Sequence, residues 1–372
     1  MKIAVVVLIT LHALIHLMGT AKAFRLAELP QLSEPISRTM GMVWLVAAVA
    51  LLTTAVLVAL SFRSWWMVGL LAVALSQAAV FTAWGDAKFG TLVNVLLLGV
   101  VVYGFMSQGP LSFAGEYRRE VDRRLADAPS RAAVLTDDDL THLPPPVQRY
   151  LRLTGVVGRP RAHHVRAAWR GRIRAGPDEP WMPFTAEQYN FVHEPARFFR
   201  MDARRAGLPV DVLHAFRDGT ASMRVRLLSM IPVADARGPL MTRAETVTLL
   251  NDMALFVPSA LADPELRDNL RWAAVDARTA RVSYTVGPNE VGAVMTFNEE
   301  GELVDFVSDD RFAITPGDGD FVQWRWSTPV RDYRRFGAFR LMSRGEALWH
   351  APEGPYAYIE LELLELEVNG GG

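Results

Sequence analysis

The chain contains no cysteine, which excludes disulfide bonds, thiolate metal ligands and thiol nucleophiles. Lysine is nearly as scarce, since only Lys2, Lys22 and Lys88 occur, and the formal net charge is -1. Long blocks of one charge sign are also missing. A protein that binds nucleic acid needs clustered basic side chains to neutralise phosphates. We therefore expect no nucleic-acid partner.

The sequence also lacks the short motifs that identify common enzyme classes. There is no nucleophile elbow (G-x-S-x-G), no phosphate-binding glycine loop, no H-E-x-x-H zinc motif and no dinucleotide fingerprint. The acidic segments Asp309-Asp310-Arg311 and Asp318-Gly319-Asp320 lack the ligand spacing of a calcium loop and are predicted to be turns. These absences favour a protein that is not an enzyme, with no cofactor and no bound metal.

Long apolar runs, by contrast, dominate the first 106 residues. A transmembrane helix needs roughly 20 apolar residues to cross a hydrocarbon core about 30 Å thick. The connections between the later runs are short, so neighbouring helices are predicted to be antiparallel. Residues 1–106 are therefore predicted to form a four-helix transmembrane bundle, with spans at Ile3–Met18, Met40–Phe62, Trp65–Trp84 and Thr91–Met106.

The flanks of these runs bear on processing and orientation. Lys2, the apolar stretch after it and Ala21-Lys22-Ala23 also fit a cleavable signal peptide over residues 1–23, and this alternative stays open. The distribution of Lys and Arg near the helix ends favours a cytoplasmic amino terminus. We expect a multi-pass protein of the bacterial inner membrane whose soluble domain is cytoplasmic.

Polar residues inside the apolar runs are candidates for function, because each is costly in hydrocarbon unless it has a partner. His12 and His16 are four residues apart and therefore share one face of the first helix. Such a pair could bind a metal or contact a haem or a quinone. The alternative is hydrogen bonding between helices, with Asn94 and Gln77 as candidate partners.

The pattern changes after residue 106. Residues 107–158 are predicted to form an amphipathic helix, Phe113–Ala126, and a connector rich in Asp and Pro. From about Ala162 apolar residues alternate with polar ones, which is typical of strands with one buried face. Residues 159–372 are therefore predicted to form an antiparallel β domain.

Local patterns add detail to this domain. Asp218-Gly219 has the composition of a two-residue hairpin turn, and a change of phase near Leu363 predicts a β-bulge in the last strand. Apolar residues at helical spacing predict one helix, 241–261, that covers the apolar face of the sheet. The predicted fold class is α+β: a four-helix transmembrane bundle followed by a curved antiparallel β-sheet, or half-barrel, covered by a helix.

Residues on the covering helix and on nearby strands form the candidate ligand site. Glu245, Asn251 and Asp252 could bind a polar headgroup if they face an apolar cavity, and the carboxylate pair of Glu245 and Asp252 could act as acid and base. Otherwise they face solvent or bind backbone amides of neighbouring strands. Trp324 and Trp326 are predicted to line the sheet, where aromatic residues serve as core or as ligand contacts.

A basic stripe on the first predicted strand is a further candidate. Arg170 and Arg172 alternate with apolar residues and lie on the polar face of this strand. They could contact anionic lipid headgroups, because the domain is tethered beside a bilayer. The alternative is that they are solvated charges that protect the outer face of the sheet.

Three segments carry a resemblance to a bacterial multi-pass membrane family of unknown function. They are Leu143–Leu151 (LPPPVQRYL), Leu250–Pro258 (LNDMALFVP) and Gly301–Phe306 (GELVDF). The resemblance covers essentially the whole chain and implies no activity. In architecture, the sheet with its covering helix is similar to the half-barrel of the LolA/LolB lipoprotein-localisation proteins. That similarity implies a lipid held between sheet and helix.

These observations predict a membrane-anchored protein that binds a lipid or another apolar ligand in its β domain, with membrane lipid as its partner. The alternative is a membrane scaffold or sensor whose β core is filled by its own side chains and whose partner is another membrane protein. A third possibility is an enzyme that acts on a membrane-derived substrate through Glu245 and Asp252. A continuous apolar cavity of roughly several hundred Å³ would favour the ligand, and a packed interior would favour the scaffold.

Overall fold

The structure is a computed structural model that describes residues 2–129, 132–314 and 321–370. The chain forms two units, residues 1–116 and residues 117–372. The predicted turn at Asp318-Gly319-Asp320 lies outside the described residues.

The first unit contains four helices that are long and apolar enough to cross a membrane. This confirms the four predicted apolar helices. A further helix of a single turn lies in the connection between the third and the fourth of these long helices. The helices of this unit are α1 (Lys2–Ala23), α2 (Arg38–Ala59), α3 (Trp65–Thr82), α4 (Trp84–Ala87) and α5 (Gly90–Gln108).

Small residues allow these helices to approach one another closely. Ala13 of α1, Ala47 of α2 and Ala72 of α3 are completely buried. A Cβ atom on Gly19 of α1 would lie 2.4 Å from ring carbons of Trp44 of α2, so no larger residue fits there without a shift. Because lipid offers no hydrophobic force between helices, close backbone packing supplies the van der Waals contact that holds the bundle together.

Beyond residue 108 the described residues form three α-helices and a large set of strands. The helices are α6 (Phe113–Ala126), α7 (Pro145–Thr154) and α8 (Pro239–Leu255). The strands are β1 (His164–Ile173), β2 (Met182–Phe191), β3 (Ala196–Arg205), β4 (Leu208–Arg217), β5 (Thr220–Leu227), β6 (Ile231–Arg237), β7 (Leu270–Ala274), β8 (Thr279–Val286), β9 (Asn289–Phe297), β10 (Leu303–Ser308), β11 (Phe312–Ile314), β12 (Phe321–Gln323), β13 (Arg325–Ser327), β14 (Val330–Arg331), β15 (Arg334–Phe336), β16 (Phe339–Leu341), β17 (Arg344–Ala351) and β18 (Gly354–Val368).

Fourteen of these strands form one antiparallel sheet that is not closed into a barrel. Its order is β6-β5-β4-β3-β2-β1-β18-β17-β13-β10-β9-β8-β7, and β14 pairs with β17 off this path. Strand β18 therefore lies between β1, the first of six sequential strands, and β17, which continues to β13 and β10. The predicted fold class, α+β with an antiparallel sheet after the apolar helices, is confirmed.

Two predicted local features of the sheet are also confirmed. Asp218 and Gly219 both have positive φ, 51° and 71°, as a type I′ turn between β4 and β5 requires. In the pairing of β1 with β18, Ala168 lies opposite Glu365 and Trp169 lies opposite Leu363. One extra residue of β18 is therefore absorbed as a bulge at the predicted place.

Helix α8 lies against the apolar face of the sheet and contacts strands β5, β8, β9 and β10. Of its 17 residues, 14 are buried, so it is enclosed on all sides and is not amphipathic as its apolar spacing suggested. The helix ends at Leu255, earlier than the predicted residue 261. The chain continues in a 3-10 turn, Pro258–Ala262, because the residue before a proline is disfavoured in the α conformation.

Candidate ligand-binding site

A cluster of buried charged side chains lies between α8 and the concave face of the sheet. Glu245 and Asp252 of α8 are only 1% and 5% exposed, and Arg197 of β3 is 7% exposed. Arg197 joins the two carboxylates, since its Nη1 lies 3.2 Å from Oε2 of Glu245 and its Nε donates to Oδ2 of Asp252 at 2.8 Å. Buried charges are tolerated only when they are paired and hydrogen-bonded, and this cluster meets that condition.

The Asp252 carboxylate accepts two further hydrogen bonds on the same oxygen. Gln188 and Asn190 of β2 donate to Oδ2 from their side-chain amides at 2.7 and 2.8 Å. Burial raises the pKa of Asp252, and the Arg197 charge and the Asn190 hydrogen bond oppose this rise. Four side chains from three elements are thus bound into one network.

Glu245 has a different environment although it belongs to the same cluster. Burial alone would raise its pKa, but a hydrogen bond from His214 and the charges of Arg197 and Arg311 outweigh burial and lower the pKa below its ordinary value. Glu245 is therefore ionised at neutral pH. Glu245 and Asp252 lie about two turns apart on α8, and their pKa values are shifted in opposite directions.

Arg311 forms the other cationic side of the cluster. Its Nη1 donates to the carbonyl oxygen of Ala244 at 2.6 Å and to the hydroxyl of Thr248, and its guanidinium lies 4.5 Å from the ring centre of Trp326. Its Nη2 is 3.6 Å from Oε1 of Glu245. The Nε of Arg311 is buried and has no hydrogen-bond partner among the described residues. Leaving a buried donor unpaired costs about 1–3 kcal/mol, so this atom is a natural contact for a ligand oxygen.

A cavity of about 130 Å³ adjoins the charged cluster. Pockets for drug-sized ligands have volumes of about 300–1,000 Å³, whereas an engineered apolar cavity of about 150 Å³ is large enough for benzene. The cavity therefore admits an apolar group of about that size. Its apolar lining consists of Trp169, Ile173, Phe199, Met201, Leu255, Phe256, Trp326, Val330, Met342, Ala347, Ile359 and Leu361.

Four of the predicted ligand-site residues line this cavity: Glu245, Asn251, Asp252 and Trp326. Asn251 donates a hydrogen bond from its side-chain amide to the hydroxyl of Thr328 at 2.7 Å. The predicted Trp324 is not part of the cavity and packs against Trp349, with 6.4 Å between ring centres. The structure thus brings the three predicted residues of α8 together with Trp326 at one cavity.

Arg170 and Arg172 lie on the opposite face of β1, because Trp169 and Ile173 of that strand point to the cavity. Each pairs with a glutamate of the neighbouring strand β18, Arg170 with Glu362 at 2.9 Å and Arg172 with Glu360 at 2.7 Å. The arginine side chains are 60% and 50% exposed. Exposed pairs of this kind contribute about 0–1 kcal/mol, so their main effect is to balance charge on the outer face.

The sequence reasoning missed Arg197, Gln188, Asn190 and His214, although a signal was present. In β2, β3 and β4 every second residue faces the interior, and most of these residues are apolar. The four missed residues occupy inward positions of these strands. A polar residue that interrupts an apolar alternation on three neighbouring strands indicates a buried polar site.

The first unit holds a separate polar cluster among its apolar helices. His12 Nε2 lies 3.0 Å from both Oγ of Ser76 and Oδ1 of Asn94, and His16 Nε2 lies 2.7 Å from the same Ser76 oxygen. Asn94 donates to Oε1 of Gln77 at 3.0 Å. These hydrogen bonds connect α1, α3 and α5, with Ser76 as the residue that the sequence reasoning did not consider.

The chain is distantly similar to several solved structures. One is an outer membrane lipoprotein-sorting protein domain from Vibrio parahaemolyticus, with 11% identity, a TM-score of 0.29, and coverage of 56% of this chain and 86% of that chain. Another is a DUF1329 family protein from Desulfovibrio piger, with 12% identity, a TM-score of 0.34, and coverage of 62% and 95%. No curated protein matches the chain. The model of the family of unknown function DUF6544 matches residues 133–361, more than half of the sequence, and the protein therefore belongs to that family.

Proposed function

We propose that the β domain binds an amphiphile, with an apolar segment in the cavity under α8 and an oxygen-bearing headgroup at the charged cluster. The observation that carries this proposal is the two-sided character of the cavity. One side is lined by aromatic and aliphatic residues, and the other holds Arg311, whose buried Nε has no hydrogen-bond partner in the part of the chain that the structure describes. Sites for small molecules combine an apolar lining with a few placed polar groups in this way.

The size of the cavity limits the ligand. At about 130 Å³ it accepts a short apolar segment, so a long acyl chain would extend beyond it or require α8 to move. A carboxylate or phosphate oxygen would satisfy the Arg311 donor. An alcohol would do so without charge and is expected to bind more weakly, because hydrogen bonds to charged groups are the stronger ones.

We expect photolabelling to locate this ligand. A diazirine derivative of decanoic acid, added to membranes that contain the full-length protein, is expected to label peptides of β1, β3 or β17. Replacing Ala347, a buried residue of β17 that lines the cavity, with leucine fills the space and is expected to reduce this labelling at least about tenfold. The measurement is the amount of labelled peptide by mass spectrometry.

Ala273→Leu is the matched control, because Ala273 lies exposed on the edge strand β7 and should leave the labelling unchanged. Equal labelling of wild type and Ala347→Leu, or labelling confined to residues 2–108, would contradict the proposal. A decan-1-ol derivative carrying the same diazirine tests the headgroup and is expected to label the protein less than the acid does. Equal labelling by the two would mean that Arg311 does not bind a charged headgroup.

The membrane scaffold or sensor is the second candidate, and one observation favours it. The cavity is smaller than ordinary ligand pockets, and α8 is buried on every side. In that case the β core is filled by its own side chains and the partner is another membrane protein. The same experiment separates the two candidates, since the scaffold predicts no labelling of the cavity strands.

The proposed location is the bacterial inner membrane, with the β domain on the cytoplasmic side. Lys2 and Arg63 flank one side of the bundle, followed by the basic residues of α6, whereas the other side carries Lys22, Arg25, Arg38 and Lys88. The small excess on the first side favours its cytoplasmic placement. A carboxyl-terminal alkaline phosphatase fusion is expected to be inactive, and an active fusion would place the domain on the other side.

A further inference from the structure

Three potential metal ligands meet at a second location in the β domain, away from the cavity under α8. His193 lies in the turn between β2 and β3, and Asp263 and Glu265 lie in the segment that follows the 3-10 turn after α8. The three ligand atoms all lie within 4.8 Å of one another. From the sequence no bound metal is expected, because zinc and calcium motifs are missing. These three residues form no short motif either, since 70 residues separate His193 from Asp263.

The distances between the ligand atoms fit a tetrahedral metal ion. Nε2 of His193 is 3.0 Å from Oδ2 of Asp263 and 3.6 Å from Oε2 of Glu265. Two ligands bound at about 2.0–2.1 Å to a tetrahedral zinc ion are about 3.4 Å apart, and the observed distances lie on either side of this value. The two carboxylate oxygens lie within 4.8 Å of each other, so an ion would draw the mostly exposed Glu265 side chain toward Asp263.

The surrounding residues orient the ligands, and an ion would replace the hydrogen bond that joins Nε2 of His193 to Oδ2 of Asp263. Arg161 binds the other oxygen of each carboxylate, with Nη1 2.5 Å from Oδ1 of Asp263 and Nη2 3.5 Å from Oε1 of Glu265. Nδ1 of His193 lies 3.1 Å from Nδ1 of His163, which directs the opposite ring nitrogen to the carboxylates. Residues that hydrogen-bond to metal ligands fix the orientation of those ligands and increase the affinity of the site for the metal.

The site has both a rigid part and an open side. The Asp263 side chain is completely buried, whereas that of Glu265 is 60% exposed. His193 and Glu265 line a second cavity of about 460 Å³, which also reaches Arg161 and His163. Nε2 of His163 is buried and has no hydrogen-bond partner among the described residues, so a polar group in this cavity would meet a free ring nitrogen.

We propose that His193, Asp263 and Glu265 bind a divalent transition-metal ion through Nε2, Oδ2 and Oε2. One nitrogen and two carboxylate oxygens suit Zn²⁺ or Mn²⁺, and water or a ligand oxygen from the second cavity completes the coordination. Three protein ligands with an open position are typical of zinc sites that exchange a bound molecule. This site is independent of the proposed amphiphile, because it shares no residue with the cavity under α8.

The test uses the full-length protein without a histidine tag, titrated with zinc chloride alone and followed by calorimetry. One ion is expected to bind per chain. His193→Gln and Glu265→Gln are each expected to lower the affinity at least about tenfold, which is the smallest loss usual even for outer-shell partners. Glu265→Gln removes a mostly exposed side chain, so folding is preserved even if His193→Gln destabilises the turn.

His142→Gln is the matched control, because His142 is an exposed histidine elsewhere in the domain and should leave zinc affinity unchanged. Cobalt substitution provides a second readout, since a tetrahedral ion gives a strong visible absorption that Glu265→Gln should remove. No zinc binding by the wild type, or equal binding by wild type and Glu265→Gln, would show instead that Arg161 and His193 merely neutralise two carboxylates. Photolabelling of the cavity under α8 is unaffected by either result.

Discussion

Replacing Arg197 with methionine is expected to lower the free energy of unfolding of the β domain by about 3–5 kcal/mol at neutral pH. The variant keeps much of the side-chain volume but leaves Glu245 and Asp252 buried without their shared cation. An unpaired buried charge is far more costly than the loss of an exposed pair. Urea unfolding of the detergent-solubilised protein, followed by tryptophan fluorescence, measures the change.

The size of this loss is expected to depend on pH. In the wild type the pKa of Glu245 is lowered from 4.5, so its contribution to stability is present above that value and is lost as the pH falls through the folded-state pKa. In Arg197→Met, Glu245 keeps Arg311, but Asp252 loses its ion-pair partner. Burial already raises the pKa of Asp252, so protonation of this carboxylate relieves the unpaired charge as the pH falls. The difference between wild type and variant should therefore be largest at neutral pH and narrow on acidification.

Arg170→Met is the control, because the exposed Arg170–Glu362 pair contributes only about 0–1 kcal/mol. Equal losses for Arg170→Met and Arg197→Met would mean that the cluster under α8 is not a buried charge network. The stability lost in Arg197→Met should shrink as the pH is lowered toward the ordinary pKa of Glu245. A loss that stays constant over this range would mean that it does not come from a buried, unpaired carboxylate.

Trp169→Ala is expected to destabilise the β domain by a similar amount, about 3–5 kcal/mol, for a different reason. Trp169 is 3% exposed, and its ring lies 5.2 Å from that of Phe256. Its indole nitrogen is buried without a hydrogen-bond partner among the described residues, so the loss comes from packing. The substitution also enlarges the cavity under α8, and photolabelling should shift toward derivatives with longer acyl chains.

Trp272→Ala is the matched control for this substitution. Trp272 also has a buried indole nitrogen without a described hydrogen-bond partner, but it is half-buried on the edge strand β7 and does not line the cavity. It should cost less stability and leave the chain-length preference unchanged. If both variants, or neither, were labelled best by derivatives with longer acyl chains, the ligand would not bind in the cavity under α8.

Features that depend on neighbouring residues could be predicted from the sequence. The Asp218-Gly219 turn follows from backbone preferences of two residues, and the bulge near Leu363 follows from a one-residue change in alternation. The end of α8 was predicted less well, because its apolar residues continue past Leu255 while Pro258 interrupts the helix. Periodicity reports burial and does not by itself mark where a helix stops.

The candidate site could be predicted only in part. Glu245, Asn251 and Asp252 were recognised as polar residues on an apolar helix, but the sequence left open whether they face a cavity, solvent or backbone amides. The structure buries both carboxylates, because strands of the sheet and the 3-10 turn pack against α8 and bury 14 of its 17 residues. The cationic partners come from distant segments, 48 residues away for the Arg197–Glu245 contact.

The sequence by itself determined that four apolar helices precede an antiparallel sheet, because span length and alternation are local properties of the chain. Only the tertiary structure decided which charges are buried together. Strand register places Arg170 and Arg172 opposite glutamates of β18, and the enclosure of α8 brings Arg197 to Glu245 and Asp252. These pairings depend on contacts between residues far apart in the chain, which no local pattern encodes.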